Sequence, residues 1–455
     1  MKNKIAEKLH FSIFLLLGLS CLTAQIPGMP VGTLKERMVR NVFGGTADDK
    51  SYSVTHTADG GYAVAGSTES NNGDVSGNHG NNDVWIVKFK KTGDVEWKKT
   101  YGGSGKDEAR AIIQTADGGY AVAGYTTSSN SGNISSNHGG LDVWVVKLDP
   151  AGAIEWQKTY GGSGTDEAKS IIQNTDGSYV LAGYTQSNDG DVSGNHGNTD
   201  FWVVKLSGSG NIEWQKAQGG TNEDVARSVI STPDGGYVVA GYTYSNDGNV
   251  SGNHGNYDLW VVKFSGTGAL EWQKPLGGTD DDGATSIAVA SDGGYVVAGY
   301  TYSTDGDVTG NHGNYDIWVV KLSGTGVIEW KKTLGGSIDE YPNAVIRTSD
   351  GGYAMAGYTA SSNSGDVSLN HGNYDVWLVK LDETGGLQWE KLIGGASQDI
   401  ACSVSETIEG KYVVSGYTDS VDGDIIGTNS GASDFFILQV GADGHVVHFY
   451  DDTAQ

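Results

Sequence analysis

Cysteine, methionine and proline are scarce in this chain, at 2, 4 and 6 of 455 residues. The two cysteines, Cys21 and Cys402, cannot assemble a cysteine-based zinc cluster. Basic residues are also few. Lys and Arg number 29 against 55 Asp and Glu, a formal charge of −26. Phosphate recognition needs clustered cations, so a sequence-independent nucleic-acid binder is excluded, and an anionic membrane surface is an equally poor partner. Beyond residue 24 no stretch stays apolar for 18 residues, so the body of the chain reads as having no transmembrane helix. An acidic surface suits solubility, hard cations, and basic or neutral partners.

What the chain has in excess is glycine, 71 residues, with 12 Trp and 23 Tyr. A hydrophobic share of 37% is too high for a disordered polymer, and the glycines follow no three-residue period, which excludes collagen. Gly, Trp, Tyr, Val and Thr together indicate short strands joined by tight turns.

Residues 1–24 read as an export signal. Lys2, Lys4 and Lys8 make a basic start, Phe11 to Leu19 is mostly apolar, and small residues follow at Ser20, Thr23 and Ala24. Cleavage near Ala24 leaves residues 25–37 as a linker and Cys402 as the one thiol, so no intramolecular disulfide is expected. In the rival processing, Cys21 is the acylated first residue of a lipoprotein. Both readings place the protein outside the cytoplasm, secreted, periplasmic or on the outer cell surface.

The dominant feature is an internal repeat. A DGGY turn motif begins at Asp59, Asp117, Asp176 (as DGSY), Asp234, Asp292, Asp350 and, as EGKY, at Glu409. Trp85, Trp144, Trp202, Trp260, Trp318 and Trp377 keep the same step, with Phe436 in the seventh place, and a second tryptophan series trails them from Trp97 to Trp389. Each unit parses into four strands. In the third unit these are a short run from Ser170 to Gln173, then Tyr179 to Thr185, Phe201 to Leu206 and Ile212 to Ala217. A long polar loop, QSNDGDVSGNHGNTD, separates the second from the third, and a short Gly-containing turn separates the last two. The middle strands are nearly continuous apolar runs, so both faces of each sheet are covered. Small sheets covered on both sides by their neighbours imply radial closure. The expected fold is all-β, a seven-bladed β-propeller of four-stranded antiparallel blades over residues 38–450, followed by a tail over 451–455. An open solenoid would need polar caps. Here VRNVFGG (Val39 to Gly45) is a spare copy of a fourth strand, and His445 to Tyr450 is another, with His448 where Trp should stand. A spare outer strand can close the ring and hide an unpaired edge; the N-terminal copy is favoured because it keeps Gly44 and Gly45.

The strings DGGYVVAGYT, DLWVVKF and LEWQK resemble the repeats of secreted bacterial β-propeller proteins of poorly known role. In strand order, and in the Trp after a Gly turn, they are also similar to blades of the quinoprotein type. The resemblance implies the fold and carries little about activity. Quinoprotein enzymes usually have eight blades, and several carry a vicinal cysteine pair. Seven units and a single mature cysteine argue against carrying over quinone chemistry, and no cofactor is required by this reading.

If the first strand of each blade is innermost, the interblade links and the long loops open on one face, the default place for binding groups. The links contribute acidic pairs, Asp107 with Glu108, Asp166 with Glu167, Glu223 with Asp224, Asp281 with Asp282, and Asp339 with Glu340, as a rim around the axis. In the long loops Asp189, Asp191, Asp200 and Asp305, Asp307, Asp316 have an oxygen-rich spacing that would suit Ca²⁺, although Asp and Asn side chains shaping their own loop explain the pattern too. An NHG histidine recurs at His79, His138, His196, His254, His312 and His371, with Ser430 seventh; neighbours a blade apart are too distant to share one ion. Tyr257, Tyr315 and Tyr374 are expected to be exposed and able to stack on sugar rings, while the tryptophans are expected to be core. No nucleophile motif, phosphate loop, HExxH or dinucleotide fingerprint is present. The sequence therefore favours a monomeric, noncatalytic binding or adhesion scaffold for extracellular carbohydrate or protein, with calcium as the one ion the loops suggest. The alternative is a glycan-active hydrolase or lyase using an acidic pair near the axis.

Overall fold

A computed structural model describes residues 41–425, 429 and 431–447. The export signal with Cys21, the linker, Ser430, His448 and the C-terminal tail lie outside the described residues. Among the described residues every regular element is a β-strand, and the strands form seven antiparallel sheets in strict chain order. Blade 3 is representative, with strands Asp166–Gln173, Tyr179–Thr185, Asp200–Leu206 and Ile212–Gln218 from first to fourth.

Burial follows the apolar patterning. The second and third strands of blade 2, YAVAGYT (Tyr120–Thr126) and DVWVVKL (Asp142–Leu148), are buried at every residue, whereas its fourth strand, Ile154–Tyr160, is mostly half-buried. The core is accordingly divided among the gaps between blades. Val84 and Ile86 of blade 1 pack on Ile112, Val122 and Trp144 of blade 2, and Val413, Phe435 and Ile437 of blade 7 pack on Val64 and Trp85 of blade 1. Both faces of each sheet are thus covered by neighbours, as continuous hydrophobic strands require.

The ring closes. The first strand of blade 7, Asp399–Glu406, lies beside that of blade 1, Asp49–His56, and Val54 N–H donates to Ser403 Oγ across the seam at 3.1 Å. The closing strand corrects the expectation that one terminus supplies it. Val42–Phe43 pairs with one end of Asp434–Val440, through Phe436 and Phe435, while Val446–Val447 pairs with the other end, through Gln439 and Val440. Each terminal copy pairs with a different end of the same edge strand, so both fit on one edge.

Every first strand carries one β-bulge, and it falls at the same repeat position. The pairing register slips across Tyr52, Arg110, Lys169, Arg227, Thr285, Asn343 and Cys402. A bulge inserts an unpaired residue and re-aims its side chain. The second-strand glycine of AGYT belongs to this device: a Cβ on Gly183 would collide with the Glu167 carbonyl pressed against it by the bulged strand.

Candidate functional site

The polar layer is built from repeated latches. Each interblade link passes a pair of glycines and enters the first strand at an acid: Asp49, Asp107, Asp166, Asp224, Asp282, Glu340 or Asp399, all fully buried. In blade 3 the Asp166 carboxylate accepts from Thr185 Oγ1, from Ser187 Oγ at 2.7 Å and from Gly162 N–H at 2.8 Å. Blade 4 repeats this with Asp224, Thr243, Ser245 and Gly220. Burial raises the carboxyls of Asp107, Asp224 and Asp282 above the usual range, Asp282 to about 6, against the hydrogen bonds that favour their charged forms. These residues hold the loop layer together and are not open to a ligand.

The acidic pairs are therefore split. In each pair one acid enters the latch and the other stays out of it; Glu108 and Glu167 follow the latch acid on the strand and so point to its opposite face, whereas Glu223, Asp281 and Asp339 precede the strand in the link. Asp107, Asp166, Asp224, Asp282 and Glu340 are the buried members. Of the other members, Asp281 lines the axial cavity, Glu108 and Glu167 pair with cations that line it, and Glu223 accepts from Tyr257 there; with its partner in a latch, none of the five pairs presents two carboxyls to one ligand.

The histidines sit in a second latch. Nδ1 of His196, His254 and His312 lies 2.6 to 2.7 Å from Oδ2 of Asp200, Asp258 and Asp316, and the same oxygens accept from the histidine backbone N–H groups. These rings are away from the axis. His254 borders a separate peripheral cavity with Gln273, Lys274 and Asp307. The loop carboxylates are likewise engaged: Asp189 accepts from Ser163 N–H at 2.7 Å, Asp191 from Gly161 N–H at 3.3 Å, and Asp305 from the Thr279 amide and hydroxyl at 2.8 and 3.0 Å. The Asp307 N–H donates to the Gly277 carbonyl. Among the described residues no three His, Cys, Asp or Glu side chains converge in a way that could hold a metal ion.

What does converge is at the axis, in a cavity of about 860 Å³. All the bulge residues line it: Tyr52, Arg110, Lys169, Arg227, Thr285, Asn343 and Cys402. At these positions otherwise similar blades differ in charge and size. Blades 2, 3 and 4 contribute three consecutive cations, and the other blades contribute neutral groups.

The cations are partly neutralised by axial acids. Arg110 bridges Glu108 at 3.0 Å and Glu167 at 2.8 Å, and Lys169 bridges Glu167 at 2.6 Å. Despite burial, Lys169 and Arg110 hold the Glu167 carboxyl below the usual range. Burial pushes the Lys169 ammonium down to about 8, with Arg110 and Arg227 adding to the effect and Glu167 opposing it. Each cation also lies over the second-strand tyrosine of its own blade: Arg110 is 5.5 Å from the Tyr125 ring centroid, Lys169 5.6 Å from Tyr184 and Arg227 5.5 Å from Tyr242.

The opposite wall is tyrosine. Tyr257, Tyr315 and Tyr374 are brought together here, half-buried where exposure was expected. Their ring centroids lie 5.3 Å from Tyr242, 5.1 Å from Tyr341 and 5.3 Å from Tyr358 respectively, and Tyr300 and Tyr341 join the wall at 5.1 Å. Tyr244 and Tyr302, each 44% exposed, extend it to the rim, 4.9 and 5.0 Å from Tyr257 and Tyr315. Tyr257 donates to Glu223 at 3.3 Å and Tyr315 to Asp281 at 3.2 Å, so both phenols, which burial and these carboxylates push up to about 12, stay protonated.

The sequence reading missed the bulge ring because a bulge has no composition of its own; its seven positions look like noise in the repeat. One signal was available: this first-strand column changes charge and size from unit to unit. A second omission is the lysine of the WVVK strands. Lys263, nearly buried, reaches Asp234 of the DGGY turn at 2.7 Å and Glu271 of the fourth strand at 2.8 Å, and Lys321 repeats this with Asp292 and Glu329.

Fold and cavity together define a closed seven-bladed β-propeller with one asymmetric axial cavity at the loop face. No family model matches the chain. It is 24% identical over 421 residues to the regulatory protein FlaEY of Caulobacter vibrioides, covering 81% of this chain and 42% of that protein. Against an uncharacterized WD repeat-containing protein of Acanthamoeba polyphaga mimivirus it is 21% identical, covering 68% of this chain and 29% of the other. The chain thus spans less than half the length of either curated relative. Among solved structures, puromycin hydrolase superposes with a TM-score of 0.51 at 10% identity, over 90% of this chain and 55% of that one, a likeness of fold alone.

Proposed function

We propose that the protein is a noncatalytic binding propeller that takes a saccharide into its axial cavity, and that it meets this ligand outside the cytoplasm after export. The observation that carries the reading is the tyrosine wall: Tyr257, Tyr315, Tyr341 and Tyr374 offer ring faces and hydroxyls side by side in a concave site. A sugar ring has an apolar face edged by hydroxyls, which such a wall matches better than an aliphatic peptide side chain. Ligand sites are concave and mostly preformed, with a few placed polar groups, and usually enclose about 300–1,000 Å³. The cavity falls within that range.

Binding of the full chain to a glycan array, followed by calorimetry on the best hit, tests the reading. Tyr315→Ala and Tyr374→Ala should each weaken binding about tenfold, the loss of one central contact. EDTA should leave it unchanged, because Asp189, Asp191 and Asp305 are engaged by the links. Glycan binding indifferent to both tyrosine substitutions would place the site elsewhere, and an array without hits would end the saccharide reading.

A further inference from the structure

The axial cavity is not chemically even, and its unevenness says more about the ligand than its shape does. The cations come from one repeat position on three adjacent blades, Arg110, Lys169 and Arg227. Two of them already have carboxylate partners: Glu108 and Glu167 serve Arg110, and Glu167 also serves Lys169. The next axial acid, Glu223, is turned to the tyrosines, accepting from Tyr242 and Tyr257 at 3.1 and 3.3 Å. Arg227 is left, among the described residues, with no ion pair. It faces the cavity at the junction of the cationic arc and the tyrosine wall.

We propose that the cavity selects a terminal acidic sugar, whose carboxylate is held by Arg227 with Lys169 and whose ring lies on the tyrosines of blades 4 to 6. The inference rests on the saccharide reading above and adds the charge of the ligand. Three like charges in one half-buried cavity weaken one another; the neighbouring guanidiniums depress the Lys169 ammonium beyond what burial does, and Glu167 compensates only in part. An anion between Lys169 and Arg227 relieves that repulsion. It makes charge-assisted hydrogen bonds, which are about twice as strong as neutral ones, and the planar guanidinium fork matches a carboxylate.

The remaining charges limit the ligand to one acidic group. The chain carries −26 overall, and Asp281, Glu223 and Asp339 stand at the axial ends of the links. A long polyanion would meet Glu223, Asp281 and Asp339 beyond the arc, whereas a single carboxylate on the last ring reaches the cations and leaves neutral rings at the acidic rim. A neutral sugar fills the same wall but leaves Arg227 without an anion.

The test is calorimetry of the full chain with two matched probe pairs, sialyllactose against lactose, and a glucuronate-terminated disaccharide against cellobiose. At least one acidic probe should bind about tenfold or more tightly than its neutral partner, a preference that shrinks in high salt. Arg227→Gln should reduce the preference to about twofold or less while leaving affinity for the neutral probe in place, and Arg227→Lys should retain much of it, which separates loss of charge from loss of fold. Lys169→Met should lower it in part. Equal binding of acidic and neutral probes by the unaltered protein overturns the proposal and leaves the saccharide reading standing. An acid preference that survives both Arg227→Gln and Lys169→Met puts the anion elsewhere and also overturns it. If neither member of either pair binds, the proposal falls, and the glycan array alone decides the saccharide reading.

Discussion

At the scale of single residues, the most repeated decision in this molecule is to bury carboxyl groups. Seven first-strand acids enter the latches, and third-strand aspartates such as Asp83, Asp142, Asp200 and Asp258 are buried beside them. Burial pushes Asp83, Asp142, Asp200, Asp258 and Asp282 above the ordinary carboxylate range, and the neighbouring carboxylate adds to it, as Asp258 does for Asp282. A folded-state value above the unfolded one means that, between the two, the folded chain holds a proton the unfolded chain has released. Folding is therefore less favourable as pH rises through that window, from 3.8 to about 6 for Asp282. The turn aspartates act in the opposite sense. Against some desolvation, Lys88, Lys147 and Lys380 and nearby hydroxyls and amides hold Asp59, Asp117 and Asp350 at about 2, and their contribution is lost only as pH falls toward that value. The two effects together place the stability maximum at about pH 4, with stability falling as pH rises from there toward about 6. The melting temperature should be higher near pH 5 than near pH 7.5, and Asp282→Asn should flatten that slope; a melting temperature that climbs steadily to pH 7.5 would show that the latches are stabilised by ionised rather than protonated carboxyls.

At the scale of elements, the two tryptophan columns look alike in the sequence and differ in the structure. Third-strand Trp260 and Trp318 are fully buried, whereas fourth-strand Trp272 is only partly buried. The fourth-strand ring covers the hairpin turn of the next blade. Trp272 lies against Gly326, whose φ of 78° disfavours any side chain and where an added Cβ would crowd the indole at 3.2 Å. The expectation that all the tryptophans are core thus holds in full for one column and in part for the other. Truncating a fully buried Trp costs about 3–5 kcal/mol, and a partly covered one about half of that. Chemical denaturation should show Trp260→Ala to be clearly more destabilising than Trp272→Ala, by about 2 kcal/mol; equal losses would mean that the outer ring contributes as much packing as the inner one.

At the scale of the whole molecule, stability depends on a seam that two distant segments complete. Phe43 is 6% exposed and packs edge-on against Phe89 of blade 1 at 5.2 Å and near Phe435 of blade 7 at 5.6 Å, so it joins first and last blades. Phe43→Ala should cost about 3–5 kcal/mol. Hydrogen exchange should then accelerate first in Asp49–His56 and Asp434–Val440, the two sides of the seam; uniform acceleration across all blades would show that closure is not the weakest interface.

The sequence by itself determined the repeat, the strand order and the closed ring, because hydrophobic periodicity and turn chemistry are local and were copied seven times. The latch residues Asp166, Thr185 and Ser187 and the pair His196 and Asp200 were also visible as recurring types, though not as partners. Tertiary structure decided which member of each acidic pair enters the latch, since that depends on which residue meets the Thr and Ser at the end of the neighbouring strand and not on composition. It also decided that both terminal copies share one edge, since that depends on where the chain ends meet. Above all, it brought Arg110, Lys169, Arg227 and the tyrosines into one cavity. The three cations lie a whole blade apart along the chain, and only the bulge in each inner strand and the curvature of the ring aim them at a common point with the tyrosines.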